Sequence, residues 1–275
     1  MIKSVNGRMA RLGYAAGAGV LLWWSLTLGG CAAPKAPMDN PDVTYTASDA
    51  PEVRKRATNR LQLAVLYFQD GKNTFALDEI KQAILIDPGW YEPYWMRGLI
   101  QMQMQDYAPA ETSFQRALSI NPNAADLKHN YGILLCKMKR YDEGLRMFAA
   151  ALANPAYGQV AKTYLEQGNC LLAMGNKAQA ESSYQKSFEL DASNGVTAYH
   201  LAALLFERKE NTRALFYARR INNSDQASAE SLWLGIKIER RIGNTDAVEQ
   251  LSAQLRKRFG QSTEAQALER GAFDE

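Results

Sequence analysis

Two histidines, His129 and His200, and the carboxylate pairs Asp78-Glu79 and Asp142-Glu143 are the residues of this chain whose types suit acid–base chemistry. A positioned imidazole or a pair of carboxylates can move a proton in a transition state. Their placement argues against that use. The histidines are far apart in sequence, and the carboxylate pairs read as the solvated sides of helices. Cys136 and Cys170 lack the close paired spacing of a zinc site. No glycine-rich phosphate loop and no Gly-x-Ser-x-Gly string occurs. The chain therefore reads as a binding protein rather than an enzyme, with no metal and no cofactor expected.

The elements around these residues repeat. Ala83, Ala117 and Ala151 are spaced 34 residues apart, as are Ala76, Ala110 and Gly144, and also Pro88 and Pro122. A fixed period of 34 is the signature of the tetratricopeptide repeat, a helix–turn–helix unit that stacks into a solenoid. Repeat one spans 57–90, repeat two 91–124, repeat three 125–156 and repeat four 161–194. Two weaker units follow, marked by Ala202, Ala214 and Ala218, then by Gly235, Ala247 and Leu251. Small residues in the first helix (Gly98, Gly132, Gly168) let its partner approach, and an aromatic residue of the second helix (Phe114, Phe148, Tyr184) fills the remaining gap. Asp87-Pro88, Asn121-Pro122 and Asn154-Pro155 end hairpins, because proline cannot continue a helix and forces its predecessor out of helical geometry. Gly71 and Gly175 fall at turns within hairpins. The expected fold is all-α: six hairpins over 51–260 forming a right-handed superhelix, followed by a tail at 261–275.

The N-terminus places this array. Lys3, Arg8 and Arg11 precede an uncharged run from Leu12 to Leu28. That run is short of the roughly 20 residues a membrane span needs and suits a secretory signal. Its end, Leu28-Gly29-Gly30-Cys31, resembles the lipobox of bacterial lipoproteins. The resemblance implies cleavage after Gly30 and lipidation of Cys31. Ala32 is not an acidic retention residue, so the implied destination is the periplasmic face of the outer membrane. Pro34, Pro37 and Pro41 make 31–50 a flexible tether by composition. Cleavage also changes the charge. The full chain has 32 basic and 29 acidic residues, and loss of the three basic residues in 1–30 leaves 29 of each sign. Nothing in that balance calls for nucleic acid.

With Cys31 lipidated, Cys136 and Cys170 remain as an even pair in a compartment that permits disulfides. Each lies late in the first helix of its repeat, and first helices of neighbouring repeats pack side by side. The pair reads either as a disulfide between repeats three and four or as two buried thiols.

The string Asn130-Tyr131-Gly132-Ile133-Leu134-Leu135-Cys136, followed by Arg140-Tyr141-Asp142-Glu143, Phe148, Pro155 and Tyr157, resembles the type IV pilus biogenesis lipoproteins PilF/PilW. Gly168-Asn169-Cys170, Ala229–Gly235 and Leu255-Arg256-Lys257-Arg258-Phe259 agree with it. The departures are His129, where the family usually has asparagine, and Ala192 and Gly260, where it has proline. The resemblance implies a pilotin, which binds the pilus secretin subunit, escorts it to the outer membrane and promotes its multimer assembly; the chain itself is expected to be a monomer. A scaffold for outer-membrane protein assembly or for peptidoglycan enzymes is the alternative.

In such arrays positions 2, 5, 9 and 12 of each first helix face the concave side. Their apolar members here are Leu61, Val65 and Phe68, then Trp95, Leu99 and Met102, with Ile133 extending the stripe. Exposed apolar stripes mark interaction sites, so these seven are the candidate partner groove. The competing reading is that they pack against neighbours or under residues 32–55.

Overall fold

A computed structural model describes residues 50–273, which belong to one compact unit. The signal segment, Gly30, Cys31 and the tether up to residue 49 lie outside the described residues. Helices are the only regular elements among the described residues. They pair in chain order as α1 (Ala50–Gln69) with α2 (Asn73–Ile86), α3 (Tyr91–Gln103) with α4 (Tyr107–Ile120), and α5 (Ala125–Lys137) with α6 (Tyr141–Leu152). The pairs α7 (Val160–Ala173) with α8 (Lys177–Leu190), α9 (Gly195–Glu207) with α10 (Asn211–Asn222), and α11 (Ala229–Arg241) with α12 (Thr245–Phe259) follow. A last helix, α13 (Thr263–Arg270), packs on α11 and α12. The array is a tetratricopeptide-repeat solenoid. The stretch after residue 260 is thus not a bare tail. Ala265 and Leu268 are buried against Leu232, Trp233 and Leu255, and Phe273 stacks on Trp233 at 5.2 Å. The physical reason is an exposed end: the sixth hairpin has no seventh to cover it, and α13 buries its apolar side.

The close approach inside each hairpin is visible at its glycines. A methyl group on Gly132 would lie 2.7 Å from the Phe148 ring and 3.1 Å from the Gly144 carbonyl oxygen. Gly98 meets Phe114 at 2.8 Å and Gly168 meets Tyr184 at 2.5 Å in the same way. In each case the large residue is fully buried and 16 positions downstream of the small one.

Turns within hairpins use the left-handed region, since a helix reversing this tightly closes its last carbonyls with a 6→1 bond. Lys72 N donates to Tyr67 O at 2.8 Å, and Arg140 N donates to Leu135 O at 2.9 Å. Gly71, Gly175 and Gly243 occupy that region in repeats one, four and six, whereas Gln105, Lys139 and Lys209 do so at φ of 62–64° in the others. The ends of second helices share a different device. Asn121, Asn154 and Asp191 each accept a bond on Oδ1 from the backbone N–H two residues on, at 3.0–3.2 Å. An Asx turn of this kind offers the chain an alternative to helix. It explains why Ala192 in place of proline still leaves a stop after Leu190.

Ionic straps join neighbouring repeats. Arg140 bonds Glu111 at 2.6 Å and Glu143 at 2.7 Å. Arg208 bonds Glu181 at 2.5 Å, and Glu210 pairs with Arg208 and Arg213. At the junction of repeats three and four, His129 Nδ1 and Tyr157 Oη both pair with Thr163 Oγ1, at 2.8 and 2.7 Å. Burial holds the His129 imidazole below its ordinary pKa of 6.5, against the opposing pull of Asp126. Gln159 also donates to Asp126 at 2.6 Å across this junction.

Candidate binding surface

First helices of adjacent repeats touch one another: α1 with α3, α3 with α5, and α5 with α7. Their free sides form one continuous strip, the geometry in which repeat arrays present extended binding surfaces. The seven groove residues lie on these helices, and all are half-buried. Leu61, Val65 and Phe68 pack against a cluster of Ala64, Ala76, Ile80, Met96 and Ile100. Trp95 and Met102 pack against the cluster of Phe114, Leu127 and Leu134, and Leu99 packs against both clusters. The stripe is thus partly core, and the reading of a fully open groove needs that correction. With 3.6 residues per turn, a side chain facing the inner strip also borders the neighbouring first helix. The large exposed apolar side chains, Leu66, Phe75, Leu85, Leu190, Val196 and Phe216 among them, are not in the set.

The strip carries two polar atoms that the apolar pattern does not reveal. Trp95 Nε1 and Glu92 Oε2 are buried and have no hydrogen-bond partner among the described residues. Burial pushes the Glu92 carboxyl above its ordinary range, with Arg54 opposing. Glu92 is position 2 of repeat two and Trp95 is position 5, so both belong to the same face as Leu99 and Met102. An unmade hydrogen bond on a buried group costs about 1–3 kcal/mol, and a ligand that supplies the missing donor and acceptor recovers it. The positional rule that selected Trp95 also passes through Glu92, which an apolar filter discards.

Cys136 and Cys170 are brought together. Their Sγ atoms lie at bonding distance, with Cα atoms 5.6 Å apart, inside the range a disulfide requires. Gly144 faces this pair, where a methyl group would lie 2.5 Å from Cys136 Sγ. The carboxylate pairs are not assembled for chemistry: Glu79 binds Arg60 at 3.0 Å and Glu143 binds Arg140. His129 and His200 sit on different helices, His200 stacked on Tyr184 at 4.8 Å. Among the described residues no group of three or more metal-binding side chains converges, and no helix is long and apolar enough to cross a membrane.

The tetratricopeptide-repeat family matches residues 91–124 and 123–193. Residues 91–193 carry tetratricopeptide repeats, and the fold is that of a tetratricopeptide-repeat solenoid. The chain is 25% identical over 209 residues to the type IV pilus assembly protein PilF of Pseudomonas aeruginosa, spanning 76% of its own length and 83% of PilF. The solved structure of Pseudomonas aeruginosa PilF has the same fold, with a TM-score of 0.72 at 24% identity over 80% of this chain and 99% of that one. The crystal structure of PilW, a widely conserved type IV pilus biogenesis factor, gives 0.69 at 28% identity over 77% of this chain and 97% of that one. The chain is thus homologous to PilF and matches PilW in structure.

Proposed function

We propose that this protein is a pilotin of type IV pilus biogenesis: an outer-membrane lipoprotein, anchored through Cys31, that binds the secretin subunit and promotes its outer-membrane localisation and multimer assembly. The observation that carries this reading is the homology to PilF over most of both chains. The inner strip suits the role. Its apolar residues Trp95, Leu99, Met102 and Ile133 would take the apolar face of a secretin segment, and Trp95 Nε1 would donate to a carbonyl of that segment. An amphipathic helix or an extended segment docks in this way. The protein acts by binding and does no chemistry. Acyl chains on Cys31 would hold it to the membrane, since buried methylene groups contribute about 0.8 kcal/mol each.

The test has two arms. Trp95→Ala with Ile133→Ser leaves intact Leu99, which packs against two core clusters. This variant should keep the helical circular dichroism and cooperative melting of the parent, at a lowered midpoint because Trp95 packs on the core, while losing secretin capture and heat-resistant secretin multimers. Cys31→Ala should retain the signal and leave the outer-membrane fraction. A folded strip variant that still assembles secretin would place the site elsewhere. A Cys31 variant that still fractionates with the outer membrane would end the anchor reading.

A further inference from the structure

The C-terminal repeats hold a basic and aromatic cluster far along the array from the strip of α1, α3 and α5. Lys237, Arg240 and Arg241 share one side of α11, being three and four residues apart. Each cation lies over a ring. Arg240 Cζ is 3.8 Å from the centre of Phe273, Arg241 Cζ is 4.1 Å from Phe206 on α9, and Lys237 Nζ is 5.6 Å from Trp233. Phe206, Lys237, Arg240, Arg241 and Phe273 together line a cavity of about 220 Å³. It sits where α9 and α11 touch, among the first helices.

Two guanidinium groups side by side at the end of a helix repel, and several other arginines of this protein are compensated. Arg54, Arg60, Arg140, Arg208, Arg213, Arg219 and Arg256 all bond carboxylates. Arg240 and Arg241 have no carboxylate partner among the described residues. The described carboxylates closest along α9, α10 and α11 are committed elsewhere: Glu207 to Lys177, Glu210 to Arg208 and Arg213, and Glu239 to Arg219. Stacking on a ring fixes the plane of a guanidinium and leaves its N–H edge free for a carboxylate, the arrangement that makes bidentate pairs.

We infer that this cluster is a second protein-binding site, one that takes the side-chain carboxylates of an acidic peptide segment from a partner. Two guanidinium groups held on separate rings, one from α9 and one from the C-terminal segment, present two forks rather than one. Two forks, each fixed on its own ring, suit two carboxylates of successive acidic side chains better than a single phosphate or lipid headgroup. The inference is independent of the pilotin reading, because it uses other residues and another repeat.

The test is fluorescence polarisation of a fluorescein-labelled tetraglutamate peptide against the full chain in detergent solution, beside a tetraglutamine peptide. The parent should bind tetraglutamate and not tetraglutamine. Arg240→Gln with Arg241→Gln should weaken binding by at least about tenfold, a loss ordinary for charge pairs at an interface. Lys81→Gln with Lys137→Gln removes the same charge from exposed positions elsewhere and should change binding less than about twofold. If the double arginine variant loses helicity, the two single variants carry the comparison. Equal loss in both charge variants would reduce the effect to net charge and overturn the site. So would failure of the parent to bind, or complete displacement of the peptide by equimolar soluble dihexanoyl phosphatidylglycerol, which would assign the cluster to headgroups.

Discussion

Replacing Cys136 and Cys170 together by alanine should cost the array about 2–4 kcal/mol, and only in its middle. The two residues are 34 apart and close a loop of about 35 residues. On the chain-entropy account, closing a loop of that length removes freedom from the unfolded chain worth about 3.8 kcal/mol at 25 °C. The denatured chain is not a free coil and the folded chain can relax around the lost sulfurs, so the measured value should sit at or below that figure. Alanine is the right substitute, because Cys170 is only 2% exposed and a serine hydroxyl there would need a partner. At about 2–4 °C per kcal/mol for a chain of this size, the melting temperature should drop by roughly 5–15 °C. Hydrogen exchange gives the sharper readout. Repeats contact only their neighbours, so faster exchange should concentrate in α5 to α8 and leave α1, α2, α11 and α12 near parent values. A loss under about 1 kcal/mol, or one spread evenly along the helices, would refute the idea that this pair staples repeats three and four. Two free thiols in protein taken from an oxidising compartment would refute the bond itself.

Gly132→Ala sets about 1 kcal/mol of improved helix propensity against a methyl group 2.7 Å from the buried Phe148 ring and 3.1 Å from a backbone oxygen. Overpacking of that kind costs about 1–3 kcal/mol, so urea denaturation should show net destabilisation, and Phe148→Leu in the same chain should restore part of it. A pH effect follows from the buried imidazoles. Burial lowers both His129 and His200 below 6.5, so the unfolded chain binds more protons than the folded one just below that value. Stability should therefore be full above about pH 6.5 and fall as pH drops, and melting curves from pH 7.5 to 5.5 should flatten in His129→Asn.

Much of the architecture is legible because each packing requirement falls on a fixed residue type. The phase of Ala83, Ala117 and Ala151 sets the helices, and Gly98, Gly132 and Gly168 set their approach. Three things were hidden for physical reasons. The turns at Gln105, Lys139 and Lys209 adopt a backbone that glycine would advertise, held there by the flanking helices. Proline looked like the stop between repeats, yet the side chain of Asn121, Asn154 or Asp191 makes the bond that all three ends share. The capping role of α13 has no period to betray it, since it covers an end rather than continuing a series. At the candidate surface, position alone found Trp95 and Leu99 but could not give their depth, which depends on how closely α1, α3 and α5 lie.

The small residue and the ring that fills its gap, Gly98 with Phe114 or Gly132 with Phe148, lie 16 residues apart and so travel within a single hairpin. A hairpin copied or removed as a block carries both halves of that fit, and no orphaned ring or unfilled gap is left behind. The straps obey another rule: Glu111 and Arg140 are 29 residues apart, Glu181 and Arg208 are 27 apart, and each pair straddles two hairpins. Copy number can therefore drift at little packing cost, while the order of particular neighbours is written in charge. Charge couples repeats two with three, four with five, and, through Arg219 and Glu239, five with six, while the cysteine pair and the His129–Thr163 contact couple three with four.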